Sequence, residues 1–330
     1  MRRLTLEQYV EGILDGNRVI LARAITVIES ELPSDAELAT RILDRLLPYS
    51  GNSRRVGITG VPGVGKSTFI DALGMFLIHE CGENLAVLSI DPSSPISGGS
   101  ILGDKTRMER LSAEDRAFIR PSPSRGHLGG VARRTRETML LCEAAGYRNI
   151  LVETVGVGQS ETAVRSMTDF FLLLMLAGAG DELQGIKRGI IEMLDGMAIT
   201  KADGDNKHKA ERARTEYEHA LHLFPVSADG WTPSVRTCSS VTNEGLSEVW
   251  QMILDHRQLA KDKGFLDERR SRQALEWMNE LLLMGIEDSF HKNPKVAARL
   301  PQLRDEVRRG TVTPFAASRD LLYLYQSDGQ

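Results

Sequence analysis

The sequence is poor in cysteine, and the positions of its three cysteines exclude two kinds of small protein. Cys81, Cys142 and Cys238 lie far apart and form no Cys-x-x-Cys pair. Neither a disulfide framework nor a structural zinc site is therefore indicated. Widely spaced cysteines of this kind are typical of small buried side chains in a reducing compartment.

Long apolar runs are also missing. The longest, residues 170–179, is far shorter than the ~20 residues that a membrane-spanning helix needs. The first residues do not resemble a secretory signal, because Glu7 and Glu11 follow almost at once. We expect a cytoplasmic protein that has no membrane partner.

An excess of basic charge is absent as well. The formal net charge is −4, with 41 lysines and arginines against 45 aspartates and glutamates. A general nucleic-acid binder would carry a basic face, so we expect no nucleic-acid partner.

A hydrophobic content of 41% in 330 residues is ordinary for a globular protein with one large α/β domain and helical additions.

The chain does contain a complete phosphate-loop motif. Residues 60–67, Gly-Val-Pro-Gly-Val-Gly-Lys-Ser, fit the pattern G-x-x-x-x-G-K-[ST] between a predicted strand and a predicted helix, a context that argues against a chance glycine-rich turn. Backbone N–H groups and the helix N-terminus would face phosphate oxygens, Lys66 would add a positive charge, and Ser67 a hydroxyl for Mg²⁺. The predicted nucleotide-binding residues here are Gly60, Val61, Pro62, Gly63, Val64, Gly65, Lys66, Ser67 and Thr68.

The middle of the chain, residues 51–263, alternates predicted strands with predicted helices. This alternation indicates a doubly wound, mostly parallel α/β sheet covered by helices on both faces. The predicted strands are 56–59, 85–90, 117–120, 149–153, 169–176, 197–200 and 235–238. Ligands lie beyond the carboxyl ends of the strands in such sheets, so the strand-end residues should converge near the phosphate loop: Asp91, Glu153, Lys201 and Ser239.

Both ends of the chain are predicted to be helical. Residues 1–50 carry three apolar-periodic segments, the first interrupted by Gly12 and Gly16, and we expect a helical layer on the sheet. Residues 264–330 carry three further amphipathic segments. These could pack on their own domain, but they follow a complete sheet and need another surface to cover their apolar stripes. We therefore predict a dimerisation arm.

A second motif indicates the base that is bound. Residues 200–203, Thr-Lys-Ala-Asp, follow a predicted strand and resemble the N-K-x-D segment of GTPases. The Asp203 carboxylate would accept from guanine N1–H and the 2-amino group, which adenine lacks, while Lys201 would lay its stem over the base. Thr200 replaces the usual asparagine. Ser239, Ser240 and Val241 follow the next strand, where GTPases place a backbone N–H against guanine O6.

Residues 153–156, Glu-Thr-Val-Gly, end another predicted strand and resemble the Walker B and switch II segment of GTPases. Glu153 would reach Mg²⁺ directly or through water, and the Gly156 N–H would meet the γ-phosphate. Val157 stands where Ras-like enzymes carry the glutamine that orients water. We expect slow intrinsic hydrolysis unless another residue or a partner completes the site.

Three further residues are candidates to complete it. Asp91 is placed to orient the attacking water or to reach Mg²⁺ through water, and Asp104 to contact Mg²⁺ directly. The glycine-rich segment 178–189 could bring Lys187 to the phosphates, or it could be a plain connection. The predicted catalytic residues are Lys66, Asp91, Glu153 and Lys187, and the predicted metal ligands are Ser67, Asp91, Asp104 and Glu153.

Taken together, these motifs resemble the ArgK/MeaB family, the G-protein chaperones of methylmalonyl-CoA mutase. The segments that carry the resemblance are 91–95, 98–108, 126–130, 153–162 and 184–187, and it extends over nearly the whole chain. It implies a P-loop NTPase of the SIMIBI type that binds GTP or GDP with Mg²⁺ and hydrolyses GTP slowly. It also implies a homodimer, formed through the C-terminal arm, that assists cofactor loading and protection of an adenosylcobalamin-dependent acyl-CoA mutase.

Two other functions use a similar phosphate loop. An ATP-dependent small-molecule kinase would tolerate adenine and would need a pocket for its acceptor. A nickel-inserting metallochaperone GTPase should show clusters of histidine or cysteine, whereas the seven histidines here are scattered. A nucleotide competition assay separates the kinase from the GTPase.

Overall fold

Seven parallel strands form the centre of the fold, in the order β3-β2-β4-β1-β5-β6-β7. The structure, a computed structural model, describes residues 3–30, 32–90, 108–121, 128–154, 160–178, 188–222 and 230–327. The strands are β1 (Arg54–Gly60), β2 (Leu85–Ile90), β3 (Ala117–Pro121), β4 (Asn149–Thr154), β5 (Phe170–Leu176), β6 (Gly196–Thr200) and β7 (Ser234–Thr237). Each overlaps a predicted strand, and the predicted doubly wound α/β sheet is confirmed.

The helices lie between and around these strands. They are α1 (Leu6–Leu14), α2 (Arg18–Glu29), α3 (Pro33–Leu46), α4 (Lys66–His79), α5 (Glu109–Ser112), α6 (Leu128–Ala144), α7 (Ser160–Arg165), α8 (Arg188–Met193), α9 (Lys207–Leu221), α10 (Leu246–Asp262), α11 (Phe265–Lys292), α12 (Pro294–Arg308) and α13 (Pro314–Gln326). No helix among the described residues is both long enough and apolar enough to cross a bilayer.

The sheet order places the phosphate loop at its centre. All six residues of β2 and all six of β4 are buried, as expected for parallel strands covered on both faces. Strand β1 pairs with β4 on one side and β5 on the other, with Ile58 beside Glu153. From β1 the chain crosses to β2, beyond β4, and it later returns to β5 on the opposite side. Ligands bind at such a reversal point, beyond the carboxyl ends.

The N-terminal helices share the core of the sheet. Ile13, Ile25 and Ile42 are fully buried and belong to the same apolar cluster as the strands. The prediction that Gly12 interrupts the first helix is wrong, because α1 continues through it. A Cβ there would lie 2.1 Å from Ile20 Cδ1, so this glycine allows α1 to approach α2.

The chain divides into two compact units, residues 1–273 and 274–330. The second unit has a small apolar cluster of its own, formed by Val296, Leu303, Ala317 and Leu321. Pro294 and Pro314 begin α12 and α13, where a missing N–H is harmless. The predicted helical tail is therefore present.

A charged cluster fixes the opposite, amino edge of the sheet. Asp169, directly before β5, accepts hydrogen bonds from the Arg55 backbone N–H at 3.1 Å and from Arg270 Nη2 at 2.6 Å. Burial would raise the pKa of Asp169, but the hydrogen bonds and charge of Arg270 and Arg55 lower it below the usual value. The cluster holds β5 against β1 and against the start of α11.

Candidate nucleotide-binding site

The phosphate loop connects β1 to α4. Gly63 and Gly65 adopt φ values of +77° and +88°, in the left-handed region that favours glycine. Gly65 is the N-cap of α4, so the helix begins at Lys66. The first-turn N–H groups of α4 thus point at the space beyond the sheet, where a helix N-terminus favours an anion.

Gly60, the last residue of β1, is required for a different reason. A Cβ built on Gly60 would lie 2.5 Å from the backbone oxygen of Leu174 and 3.0 Å from its Cβ. The close approach of β5 therefore leaves no space for a side chain at the point where the chain turns into the phosphate loop.

We expect Gly60→Ala to lower the free energy of unfolding by about 1–3 kcal/mol, because one of two strands in a packed sheet must move. Urea unfolding followed by circular dichroism measures the change. Gly130→Ala is the matched control, since a Cβ at Gly130 in α6 meets nothing within 4 Å. Equal stability of the two variants would contradict this account of Gly60.

Lys66 is half-buried, and its Nζ donates a hydrogen bond to the Gly60 carbonyl at 2.8 Å. Burial lowers the pKa of Lys66, while the negative charges of Glu153 and Glu161 oppose this shift. A phosphate oxygen is a stronger partner for an ammonium group than a neutral carbonyl. The lysine is thus held at the loop that would receive the phosphates.

Ser67 and Glu153 meet at the carboxyl edge of the sheet. Ser67 Oγ donates to Glu153 Oε1 at 3.1 Å, and Glu153 is only 4% exposed. A hydroxyl beside a carboxylate is an all-oxygen donor pair of the kind that Mg²⁺ prefers, so these residues fit the predicted metal. The predicted site residues Asp91, Asp104, Gly156 and Lys187 lie outside the described residues.

The predicted base-reading segment is hydrogen-bonded to the phosphate loop. Thr200 Oγ1 donates to the Val64 carbonyl at 2.9 Å, and Lys201 Nζ donates to the Gly63 carbonyl at 2.9 Å. Lys201 has a φ of +56°, which is uncommon for a residue with a side chain. Thr200, which replaces the usual asparagine, thus contacts the phosphate loop through its hydroxyl.

Ser239 holds the Asp203 carboxylate, whereas the sequence placed Ser239 only in the segment that would face guanine O6. Ser239 Oγ donates to Asp203 Oδ2 at 2.5 Å and accepts from the backbone N–H groups of Val241 and Thr242. Ser239 is fully buried, Ser240 is half-buried, and the Val241 side chain is 81% exposed. The structure thus gives Ser239 the role of orienting the carboxylate.

Two other residues at this site were missed by sequence reasoning. Glu161 in α7 is 1% exposed, and its negative charge opposes the lowering of the Lys66 pKa that burial causes. Asn206 Nδ2 donates to the Lys201 carbonyl at 2.7 Å and so supports the strained turn. Glu161 lies in the segment 153–162 that carries the family resemblance, but its spacing from Glu153 does not indicate a place near Lys66 without the fold. An asparagine three residues after Asp203 is a common turn residue.

Comparison with known proteins supports the same family as the motifs. The family model described as methylmalonyl-CoA mutase-associated GTPase MeaB matches residues 21–295. The chain is 46% identical over 323 residues to GTPase ArgK of Escherichia coli K12, covering 98% of this chain and 97% of that protein. It is 42% identical over 332 residues to the mitochondrial methylmalonic aciduria type A homolog of Mus musculus, covering 98% and 80%.

A solved structure agrees over the full length. The crystal structure of an LAO/AO transport system kinase matches with a TM-score of 0.76 at 39% sequence identity, covering 99% of both chains. The two chains therefore share a fold. The chain therefore belongs to the family of methylmalonyl-CoA mutase-associated GTPases called MeaB, and it is a GTPase.

Proposed function

We propose that this GTPase is a chaperone that assists cofactor loading and protection of an adenosylcobalamin-dependent acyl-CoA mutase. The family description, which names methylmalonyl-CoA mutase, supports the identity of the partner. The observation that carries the nucleotide part is the pair of hydrogen bonds from Thr200 and Lys201 to the phosphate loop. In this proposal these bonds would link the segment that reads the base to the loop that holds the phosphates.

In this proposal, catalysis is mostly positioning and electrostatic stabilisation. Lys66 would exchange the Gly60 carbonyl for a phosphate oxygen, and Ser67 and Glu153 would hold Mg²⁺ together with the predicted ligands Asp91 and Asp104. When bound, Mg²⁺ would supply positive charge at the β- and γ-phosphates. The catalytic roles of Asp91 and Lys187 are carried forward from the sequence as predictions.

The kinase alternative is not favoured. It predicts a site that tolerates adenine, whereas in our proposal the Asp203 carboxylate, which accepts a hydrogen bond from Ser239, would accept two hydrogen bonds from guanine. The family is one of GTPases. The word kinase in the name of the solved structure describes that protein only.

We also propose a homodimer formed through the helical arm. Five apolar side chains of α11 are 50–68% exposed in the chain as described: Leu275, Met278, Leu282, Leu283 and Ile286. An apolar stripe of this size on a helix is typical of an interface. Multi-angle light scattering should give the mass of two chains, and a monomeric mass at micromolar concentration would contradict the proposal.

The chaperone role predicts that the nucleotide controls the affinity for the mutase. We expect the dissociation constant of the complex to differ by about tenfold or more between GDP and a non-hydrolysable GTP analogue, because coupling free energies between sites are of this size. Biolayer interferometry with purified methylmalonyl-CoA mutase measures both constants. The Lys66→Ala variant is the control and should lose the difference. Absence of a complex in both nucleotide states would contradict the chaperone role.

A further inference from the structure

Two buried threonines are hydrogen-bonded to each other where β1 and β4 end. Thr154 Oγ1 donates to Thr59 Oγ1 at 2.9 Å, and the residues are 0% and 1% exposed. Thr59 immediately precedes Gly60 and the phosphate loop, and Thr154 immediately follows Glu153. The bond therefore joins the strand that leads into the phosphate loop to the strand that carries the predicted metal ligand.

The two hydroxyls lie on the face of the sheet that α7 covers. Side chains alternate along a strand, so Thr59 shares a face with Gly57. A Cβ on Gly57 would lie 2.5 Å from Val164 Cγ1, which places α7 directly over that face. Glu153 is adjacent to Thr154 and so faces the other way, toward its bond with Ser67.

A hydroxyl pair at this position is not required for packing. Valine has the same shape as threonine, and a buried hydroxyl is unfavourable unless it is hydrogen-bonded. The pair does fix the lateral position of the end of β4 against β1, one residue from Glu153. Two apolar side chains of the same shape would stabilise this site equally well. We therefore read the hydrogen bond as a means of setting the position of the end of β4.

We propose that Thr59 and Thr154 are positioning residues for the magnesium site. Their hydrogen bond holds the end of β4 in register with the phosphate-loop strand, and so sets the Glu153 carboxylate at Ser67. The inference rests on the proposed binding of guanine nucleotide with Mg²⁺. In this inference the two threonines act through the position of Glu153 and do not contact the nucleotide.

Valine substitutions separate positioning from stability. A single Thr154→Val substitution leaves the Thr59 hydroxyl buried without this partner, and so should lower the melting temperature. The double variant Thr59→Val, Thr154→Val removes both hydroxyls and should recover most of that loss, because replacing both partners by apolar groups of the same shape is nearly neutral. A purely structural pair predicts that magnesium binding recovers as well. A positioning pair predicts that it does not.

The experiment uses the full chain and a fluorescent GDP. The dissociation constant of GDP is first measured in EDTA. A Mg²⁺ titration then gives the Mg²⁺ concentration at which half of the maximal decrease in this dissociation constant is reached. For Thr154→Val and for the double variant we expect this Mg²⁺ concentration to rise about fivefold, while GDP affinity in EDTA changes by less than about twofold. Thr154→Ser keeps the hydroxyl and should behave as the wild type.

Thr168→Val is the matched control. Thr168 lies two residues before β5 and is also fully buried, and its Oγ1 donates to the Val164 carbonyl at 2.9 Å. This variant should lose stability without a change in magnesium dependence. A double threonine variant with wild-type magnesium dependence would overturn the inference, as would an equal loss of GDP affinity in EDTA. A wild-type chain that fails to bind GDP would instead overturn the proposed function on which it rests.

Discussion

Replacing Lys66 by alanine is expected to lower kcat/KM for GTP hydrolysis by at least about 10²–10³-fold, the usual cost of removing one charged or hydrogen-bonding group aimed at the transition state. Nucleotide binding should be lost at concentrations that saturate the wild type. The reason is local: Lys66 begins α4 beside the phosphate loop, and its ammonium group is already directed to the Gly60 carbonyl. Phosphate release under single-turnover conditions measures the rate.

Lys209→Ala is the control for this variant. Lys209 is an exposed lysine of α9 to which the site assigns no role, so its removal changes the net charge by the same amount without touching the loop. Wild-type GTP affinity in the Lys66 variant, measured by titration calorimetry, would refute the assignment of residues 60–67 as the phosphate loop of an active GTPase.

Asp203→Asn is expected to change the preferred base from guanine to xanthine. Ser239 donates to one oxygen of Asp203, and an asparagine would keep that bond through its single amide oxygen. Its NH₂ group would then face the base as a donor, where guanine also presents donors and xanthine presents a carbonyl. Since two hydrogen bonds to a charged group are lost, GTP affinity should fall about 10²–10⁴-fold.

Competition of GTP and XTP for a fluorescent nucleotide measures this change of preference. Asp205→Asn provides the control, because Asp205 is an exposed acid two residues further along the same turn. A ratio of GTP to XTP affinity that stays at the wild-type value would contradict the role of Asp203 in reading the base.

The sheet and the position of the phosphate loop could be predicted because their signals are local. Each strand is a short apolar run, and the loop motif fixes the identity of most of its residues in a continuous stretch. The rule that ligands lie at the carboxyl ends of parallel strands then placed Glu153 near Ser67, and the structure brings the two within 3.1 Å.

Contacts between distant parts of the chain could not be predicted in this way. The bonds from Ser239 to Asp203 and from Thr154 to Thr59 depend on which strands are neighbours, and no sequence period encodes that order. Gly12 shows the same limit. From its own segment alone, Gly12 indicates a break in the helix. In the structure it lies against Ile20 of α2, and it is there because the two helices pack closely.

The central claim is that the described loop and base-reading segment together bind guanine nucleotide. Isothermal titration calorimetry of the purified chain with GTP, GDP and ATP in the presence of Mg²⁺ tests it most directly. The account predicts saturable binding of GTP and GDP, and binding of ATP that is weaker by about 10²-fold or more. No heat with either guanine nucleotide, or equal affinity for ATP and GTP, would contradict it.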